Sequence, residues 1–256
     1  MAQKTIKKIT LLVALLILGG GAVAFAMMAG PEEEIRASGA GNAIAASNTA
    51  LNEAQNNIKR DGDNGPMTFL DYDMVMGDKD APIEIIEYAA ISCSHCAHFH
   101  SDVIPALKQK YLDTGKAKLI YRNFIFENPF DVFAATLTRC TSEQNFFPAV
   151  KTYFDYQKVW NNIPELQRIF KADGREAALK YAQGEVAKIG EMTGIPLADA
   201  QRCFADEGVI NYLLKIRQTA IEQYQVNSTP TLIVNGKKVE GHQLADLEKA
   251  IEEAGR

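Results

Sequence analysis

Hydrophobic and polar positions change rhythm several times along the 256-residue chain, and each rhythm predicts a different element. The first is a continuous apolar run, Ile9 to Leu18, preceded by Lys4, Lys7 and Lys8 and followed by Gly19-Gly20-Gly21. Residues 30–66 carry few large apolar side chains and are rich in Ala, Asn, Gly and Glu, which is a linker composition. Within them Ala37, Ile44, Leu51 and Ile58 recur every seven residues, with Ala40 and Ala54 between. A short helical stalk that brings copies of the chain together is therefore a second reading of this segment.

From Pro66 onward the pattern is globular. Ile83 to Tyr88 reads as a buried strand bounded by Pro82. A helix is predicted from about Cys93 to Leu112, with Val103, Leu107 and Tyr111 at helical spacing and a stop near Gly115. Lys118 to Phe126 is the next strand, so strand, helix and strand make the unit of a parallel pair. Asp131 to roughly Gln223 then keeps a helical period, punctuated by Gly174 and by Gly194-Ile195-Pro196. Strand character returns at Thr231 to Val234. Asn235-Gly236 is a hairpin signal, with Lys237 to Glu240 as the returning strand. Leu244 to Ala254 closes the chain as a helix. The fold class is α/β, with residues 67–130 and 224–256 forming one domain and the helices of 131–223 inserted into it.

Composition adds bounds. The chain is 47% hydrophobic and 23% charged, an ordinary globular balance. Its net charge is −5, and the absence of a basic run argues against nucleic-acid binding. Residues 1–29 are a targeting segment with two readings. Ala24-Phe25-Ala26 has the small-x-small form of a signal-peptidase site. The uncharged stretch from Ile9 to Ala29 is also long enough to span a bilayer of roughly 30 Å as a retained anchor. Either way the rest of the chain lies outside the cytoplasm, soluble or tethered by residues 9–29, and lysines before acids agree with the positive-inside rule.

That location makes the four cysteines chemically informative, because extracytoplasmic thiols oxidise. Cys93 and Cys96 are close enough to pair, which leaves Cys140 with Cys203. For the latter a structural disulfide is expected, with a second redox pair or two free thiols as alternatives. Cys93 follows a strand at the predicted start of a helix, where unpaired N–H groups and the helix dipole stabilise a thiolate. His95 would add a donor or a cation beside that sulfur. Cys96, one turn further in, should be the more buried thiol. Cys93, Cys96 and His100 also fall on one helical face and could be three zinc ligands. No fourth is obvious, so no metal is expected; if the two cysteines are themselves the redox centre, no bound cofactor is required. His98 and His100 are placed on partly exposed helix faces or at the rim of the site.

Three separated signatures carry a resemblance. Cys93-Ser94-His95-Cys96 follows a strand, Glu87 lies six residues before Cys93, and Ser228-Thr229-Pro230-Thr231 precedes a strand and hairpin. In this order they resemble the DsbA-like branch of the thioredoxin superfamily found in bacterial periplasms. The resemblance implies a thioredoxin fold with an inserted all-helical domain. It implies a cis Pro230 that aims the Thr229 backbone at the sulfurs and pairs with an incoming peptide. It also implies a buried Glu87 that accepts a proton from Cys96. The function implied is a periplasmic thiol–disulfide oxidoreductase that oxidises reduced or unfolded proteins and is re-oxidised by a membrane redox partner. An isomerase, favoured by a homo-oligomer, or a reductase is the alternative within the fold; a metal carrier or chaperone-like clamp is the alternative outside it. Ser94 stands where the best-known members have proline, and that dipeptide tunes the redox potential.

Overall fold

The computed structural model describes residues 68–256; the apolar N-terminal segment, the linker and the heptad positions lie outside them. Among the described residues no helix is long and apolar enough to cross a membrane. Five strands form one sheet: β1 (Met74–Gly77), β2 (Ile83–Ala89), β3 (Ala117–Asn123), β4 (Thr231–Val234) and β5 (Lys237–Lys238). Their spatial order is β1-β3-β2-β4-β5. β2 and β3 are parallel, as a strand–helix–strand unit requires, and the other neighbours are antiparallel. The edge strand β1 was not expected from the sequence. At four residues it is too short to show an alternation, and it exists through its pairing with β3. β3 ends three residues before the expected Phe126. Phe124 N–H still donates to Ala89 O at 2.8 Å, but Phe126 N–H turns away to the Asp131 carboxylate at 2.9 Å.

β2 is the central strand and is buried on both faces. Ile85 packs with Leu119, Leu232 and Val234 against Phe99, Val103, Leu107 and Leu247. One residue out of phase, Ile86 and Tyr88 pack with Ile120 and Ile233 against Ile216 and Ala220. Glu87 shares the pleat of Ile85 and so faces the helix that follows β2.

That helix starts as α1 (Ser94–His98), passes through a π-helical turn (Phe99–Val103), continues as α2 (Ile104–Leu107) and ends in a second π-helical turn (Lys108–Leu112). The sequence predicts an uninterrupted α-helix here. Pro105 explains the first departure. It has no N–H for the Ser101 carbonyl, and the register slips so that Ile104 N–H bonds to Phe99 O, five residues back.

Between β3 and β4 come α3 (Pro129–Arg139), α4 (Glu143–Asp155), α5 (Gln157–Trp160), α6 (Ile163–Met192), α7 (Leu197–Phe204) and α8 (Glu207–Tyr224); α9 (Leu244–Ala254) follows the hairpin. α6 is broken at Gly174, whose φ of 84° suits glycine and few other residues. These helices do not close a core of their own. Phe130, Leu137, Phe146, Val150, Tyr153 and Trp160 pack in one cluster with Ala89, Ile91, Cys96 and Tyr121. The end of the central strand and the start of α1 are thus walled by inserted helices.

Two features tie the insertion together. Cys140, just past α3, is bonded to Cys203 of α7, with Cα atoms 6.3 Å apart. The adjacent Arg139 is buried, donates to Asn123 Oδ1 and Tyr72 O at 2.8 Å each, and lies 4.9 Å from the Phe146 ring centre. It stitches the segment before β1 to β3 and α3. Replacing both Cys140 and Cys203 by alanine frees a long loop in the unfolded chain. The expected loss of unfolding free energy in urea titrations is ~4 kcal/mol.

Candidate active site

The sheet topology decides where the chemistry lies. β4 runs antiparallel to β2 with Thr231 opposite Tyr88, so the residues entering β4 lie beside those leaving β2. The chain leaving β2 turns through Ala90–Cys93, closed by Cys93 N–H donating to Ala90 O at 3.1 Å. The chain entering β4 contains the cis Thr229–Pro230 bond. Cys93 Sγ consequently lies 3.2 Å from Thr229 O, across 136 positions of sequence. Cys93, Cys96, Thr229 and Pro230 are brought together, Ser94 and His95 lie exposed at the rim, and Glu87 is buried below.

Cys93 is the N-cap of α1. Its backbone is extended, with φ −81° and ψ 120°, and its sulfur accepts the Cys96 N–H at 3.4 Å. Both cysteines are free thiols in this structure. Hydrogen bonding from the Cys96 thiol, with further donors at the Cys96 and His95 backbone N–H groups, holds Cys93 down at about 5 against partial burial. Cys96 is pushed the other way, well above an ordinary thiol. Complete burial is the main cause, and the charges of Cys93 and Glu87 add to it. Two sulfurs three residues apart therefore differ in which species they favour: thiolate at Cys93, thiol at Cys96.

The role expected of His95 is corrected in one respect. Its backbone N–H serves the Cys93 sulfur, while its side chain is exposed and packs edge-on to His242 at 6.1 Å. Position 95 lies about 100° around the helix from position 96, so His95 faces solvent while Cys96 enters the core. His100 is corrected more strongly. Expected on a partly exposed face or rim, its side chain is 8% exposed, and Nε2 lies 3.0 and 2.9 Å from the two Glu87 carboxylate oxygens.

Three more residues matter that no local signal in the sequence marks. The buried Asp131 carboxylate, at the start of α3, accepts the Ser92 N–H at 2.9 Å and the Phe126 N–H at 2.9 Å. Burial raises it to about 6, although those two donors oppose the shift. Gln157 Nε2 donates to Ile91 O at 2.7 Å and to Cys93 O at 3.1 Å. Asn161 Nδ2 donates to Ser92 O at 3.2 Å. The inserted helices thus hold the backbone on both sides of the N-cap residue, which fixes the approach of Cys93 to the Cys96 N–H.

Two predictions follow from the unequal thiols. Thiolate absorbance of the reduced protein should rise with a midpoint near pH 5. Between about pH 5 and 9 reduction should then take up one proton rather than two. The reduction potential, measured against glutathione buffers at several pH values, should fall by about 30 mV per pH unit there and by about 59 mV below pH 5. The sign for stability is also set. A thiol depressed from 9.0 to about 5 in the folded state stabilises the reduced protein fully above about pH 9, and this is lost as pH falls through 5. Urea titrations of the reduced and oxidised forms should show the reduced form losing ground as pH is lowered from 9 to 5.

Comparison with known proteins agrees with this geometry. Residues 70–253 match a family model described as Thioredoxin. A Rickettsia bellii protein provisionally named a protein-disulfide oxidoreductase is 30% identical over 186 residues, which is 71% of this chain and 66% of that protein, just under two thirds of its length. The crystal structure of Wolbachia pipientis alpha-DsbA1 superposes with a TM-score of 0.52 at 26% identity, covering 72% of this chain and 91% of that one. A protein-disulfide isomerase from Novosphingobium aromaticivorans shares the fold with a TM-score of 0.62 at 22% identity, over 72% and 98% of the two chains. With the Cys93–Cys96 pair at the helix start, the cis Pro230 loop beside it and the match over 70–253, the chain belongs to the thioredoxin family, as one of its DsbA-like members.

Proposed function

We propose that this protein is an extracytoplasmic dithiol–disulfide oxidoreductase that introduces disulfides into reduced protein substrates. The observation that carries it is the polarisation of the two sulfurs: Cys93 held at about 5 and partly accessible, Cys96 fully buried and held as a thiol. Stabilising the Cys93 thiolate stabilises the reduced centre, which makes its disulfide an oxidant.

The reaction runs as follows. In the oxidised protein a substrate thiolate attacks Cys93 Sγ, the S–S bond breaks, and its electron pair goes to Cys96 Sγ, which takes a proton. A mixed disulfide between substrate and Cys93 remains. A second substrate thiolate attacks the substrate sulfur of that bond, and Cys93 leaves as a thiolate. Its low basicity makes it a good leaving group. The substrate has lost two electrons, and Cys93 and Cys96 hold them until a membrane electron acceptor re-oxidises the pair. The Thr229 backbone beside Cys93 supports the second part of the reading, in which a substrate peptide pairs there as an added strand. Glu87, close enough to raise Cys96 by its charge, is the proton acceptor when Cys96 deprotonates.

The extracytoplasmic location rests on two supports. One is the Lys4–Lys7–Lys8 and Ile9–Leu18 targeting pattern; the other is the Cys140–Cys203 bond, which persists in oxidising compartments. Whether residues 1–29 are cleaved or anchor the chain, and whether residues 30–66 bring copies together, are separate proposals outside the described residues.

Cys93→Ala should abolish oxidation of a reduced, disulfide-containing model protein. Given oxidised glutathione, Cys96→Ala should retain a mixed disulfide at Cys93, formed as the Cys93 thiolate displaces one glutathione thiolate and kept because the thiol that would expel it is gone; it is visible as a mass adduct that reductant removes. A reduction potential of about −120 mV supports a dedicated oxidase, and a value of about −270 mV supports a reductase or isomerase.

A further inference from the structure

A buried ion pair lies beneath the two cysteines, and dithiol exchange as written uses only half of it. Glu87 is fully buried in the central strand, and among the described residues its ion-pair partner is His100. The Nε2 atom approaches both carboxylate oxygens, at 3.0 and 2.9 Å, so one proton lies between ring and carboxylate. His100 follows Cys96 by four residues on the same helix and sits in the π-helical turn that Pro105 forces. Its ring is walled by Phe154 at 4.7 Å and Tyr121 at 5.8 Å.

The groups that face this pair are few. Cys96 comes from α1, and its thiol feels the Glu87 charge. Tyr121 comes from β3, and its buried hydroxyl has no hydrogen-bond partner among the described residues. Asp131 and Arg139 of α3 reach the Tyr121 hydroxyl through their charges. Phe154 contributes an uncharged wall from α4. A lysine or arginine on Glu87 would keep its proton, whereas an imidazole is a side chain that can give one up and take it back.

We propose that His100 is the proton store of the redox centre, supplying through Glu87 the proton that Cys96 takes when the disulfide opens. The inference rests on the dithiol–disulfide reading above. As the substrate thiolate bonds to Cys93 Sγ and the S–S electron pair moves to Cys96 Sγ, a proton passes from the His100–Glu87 pair to Cys96. The negative charge brought by the substrate then resides on the pair, and the buried sulfur is neutral. On re-oxidation Cys96 attacks Cys93 of a mixed disulfide and returns its proton to the pair. His100 acts through Glu87 and is a positioning residue; the small exposed part of its side chain lets the ring re-equilibrate with solvent.

His100→Gln tests this, because glutamine keeps an N–H donor for Glu87 but stores no proton. The rate at which a model dithiol reduces the oxidised protein is measured from pH 5 to 9 by quenching with an alkylating agent, together with thermal melting. The expected result is a rate about 100-fold lower near neutral pH, a flattened pH profile and an unchanged cooperative melt. A rate within about twofold of wild type, or a loss equal at every pH, overturns the proposal. Should the variant not fold, the His100 ring resonances of the wild-type protein are followed over pH in the oxidised and reduced forms. Different midpoints are expected, because Cys96 and the ring share one carboxylate; superimposable curves overturn it. A wild-type protein that fails to exchange with the dithiol removes the functional reading itself, whereas a reactive wild type with an unaltered variant removes only the role of His100.

Discussion

Everything in this site depends on placing two sulfurs, one helical turn apart, in opposite solvation. Cys93 stands at the N-cap, where N–H groups that the helix cannot use converge on it. Cys96 is carried by the same turn into the largest core cluster of the described residues, among Ala89, Ile91 and Tyr121. A charge is stabilised at the first position and penalised at the second, so the reduced pair carries its negative charge on Cys93 and its proton on Cys96. The strand, the turn and the cis Pro230 loop can be understood as the means of presenting this helix start.

The inserted helices do more than enlarge the molecule. They wall in Cys96, and three of their polar side chains, Asp131, Gln157 and Asn161, take the N–H and C=O groups of residues 91–93. A turn that carries an N-cap sulfur would otherwise expose those groups to water and wander. Satisfying them from a rigid helical frame costs little once the frame is folded, and it removes the freedom that would blur the distance from Cys93 to its donors. Placing Asp131 there has a consequence of its own. Its carboxyl is raised to about 6 by burial, so the folded state favours its neutral form and its charge is an expense above that pH.

Burial takes water away from the Glu87 carboxylate, and the helix that follows β2 supplies a partner in its place. The π-helical turn at Phe99–Val103 and the imidazole of His100 together put a donor on both carboxylate oxygens inside an aromatic box. A buried carboxylate needs such a partner, since neither Phe154 nor Tyr121 offers it a hydrogen bond. Pro105 makes that turn by withholding one N–H, so a single backbone atom missing at residue 105 bears on the proton chemistry five residues earlier.

Much of this protein was legible in the amino-acid sequence, because the properties concerned are local. Short apolar runs mark β2 and β4, a helical period marks the long stretch between β3 and β4, Asn235-Gly236 marks the hairpin, and Leu244–Ala254 is bounded as observed. Cys93-Ser94-His95-Cys96 after a strand specified the chemistry, since thiolate stabilisation at a helix start is a property of the first turn. What only the tertiary structure decided involves groups far apart in the chain or too small to leave a pattern. β1 takes its identity from β3. Thr229 meets Cys93 because β4 is antiparallel to β2, and Gln157 and Asn161 reach the cysteine turn because α5 packs there. The resemblance implied a buried Glu87, but its burial is decided by the helix packed over that face of β2, which no local pattern in the strand shows. His100 looked like a surface histidine at regular helical spacing until the register shift at Pro105 and the burial of Glu87 made it that carboxylate's partner.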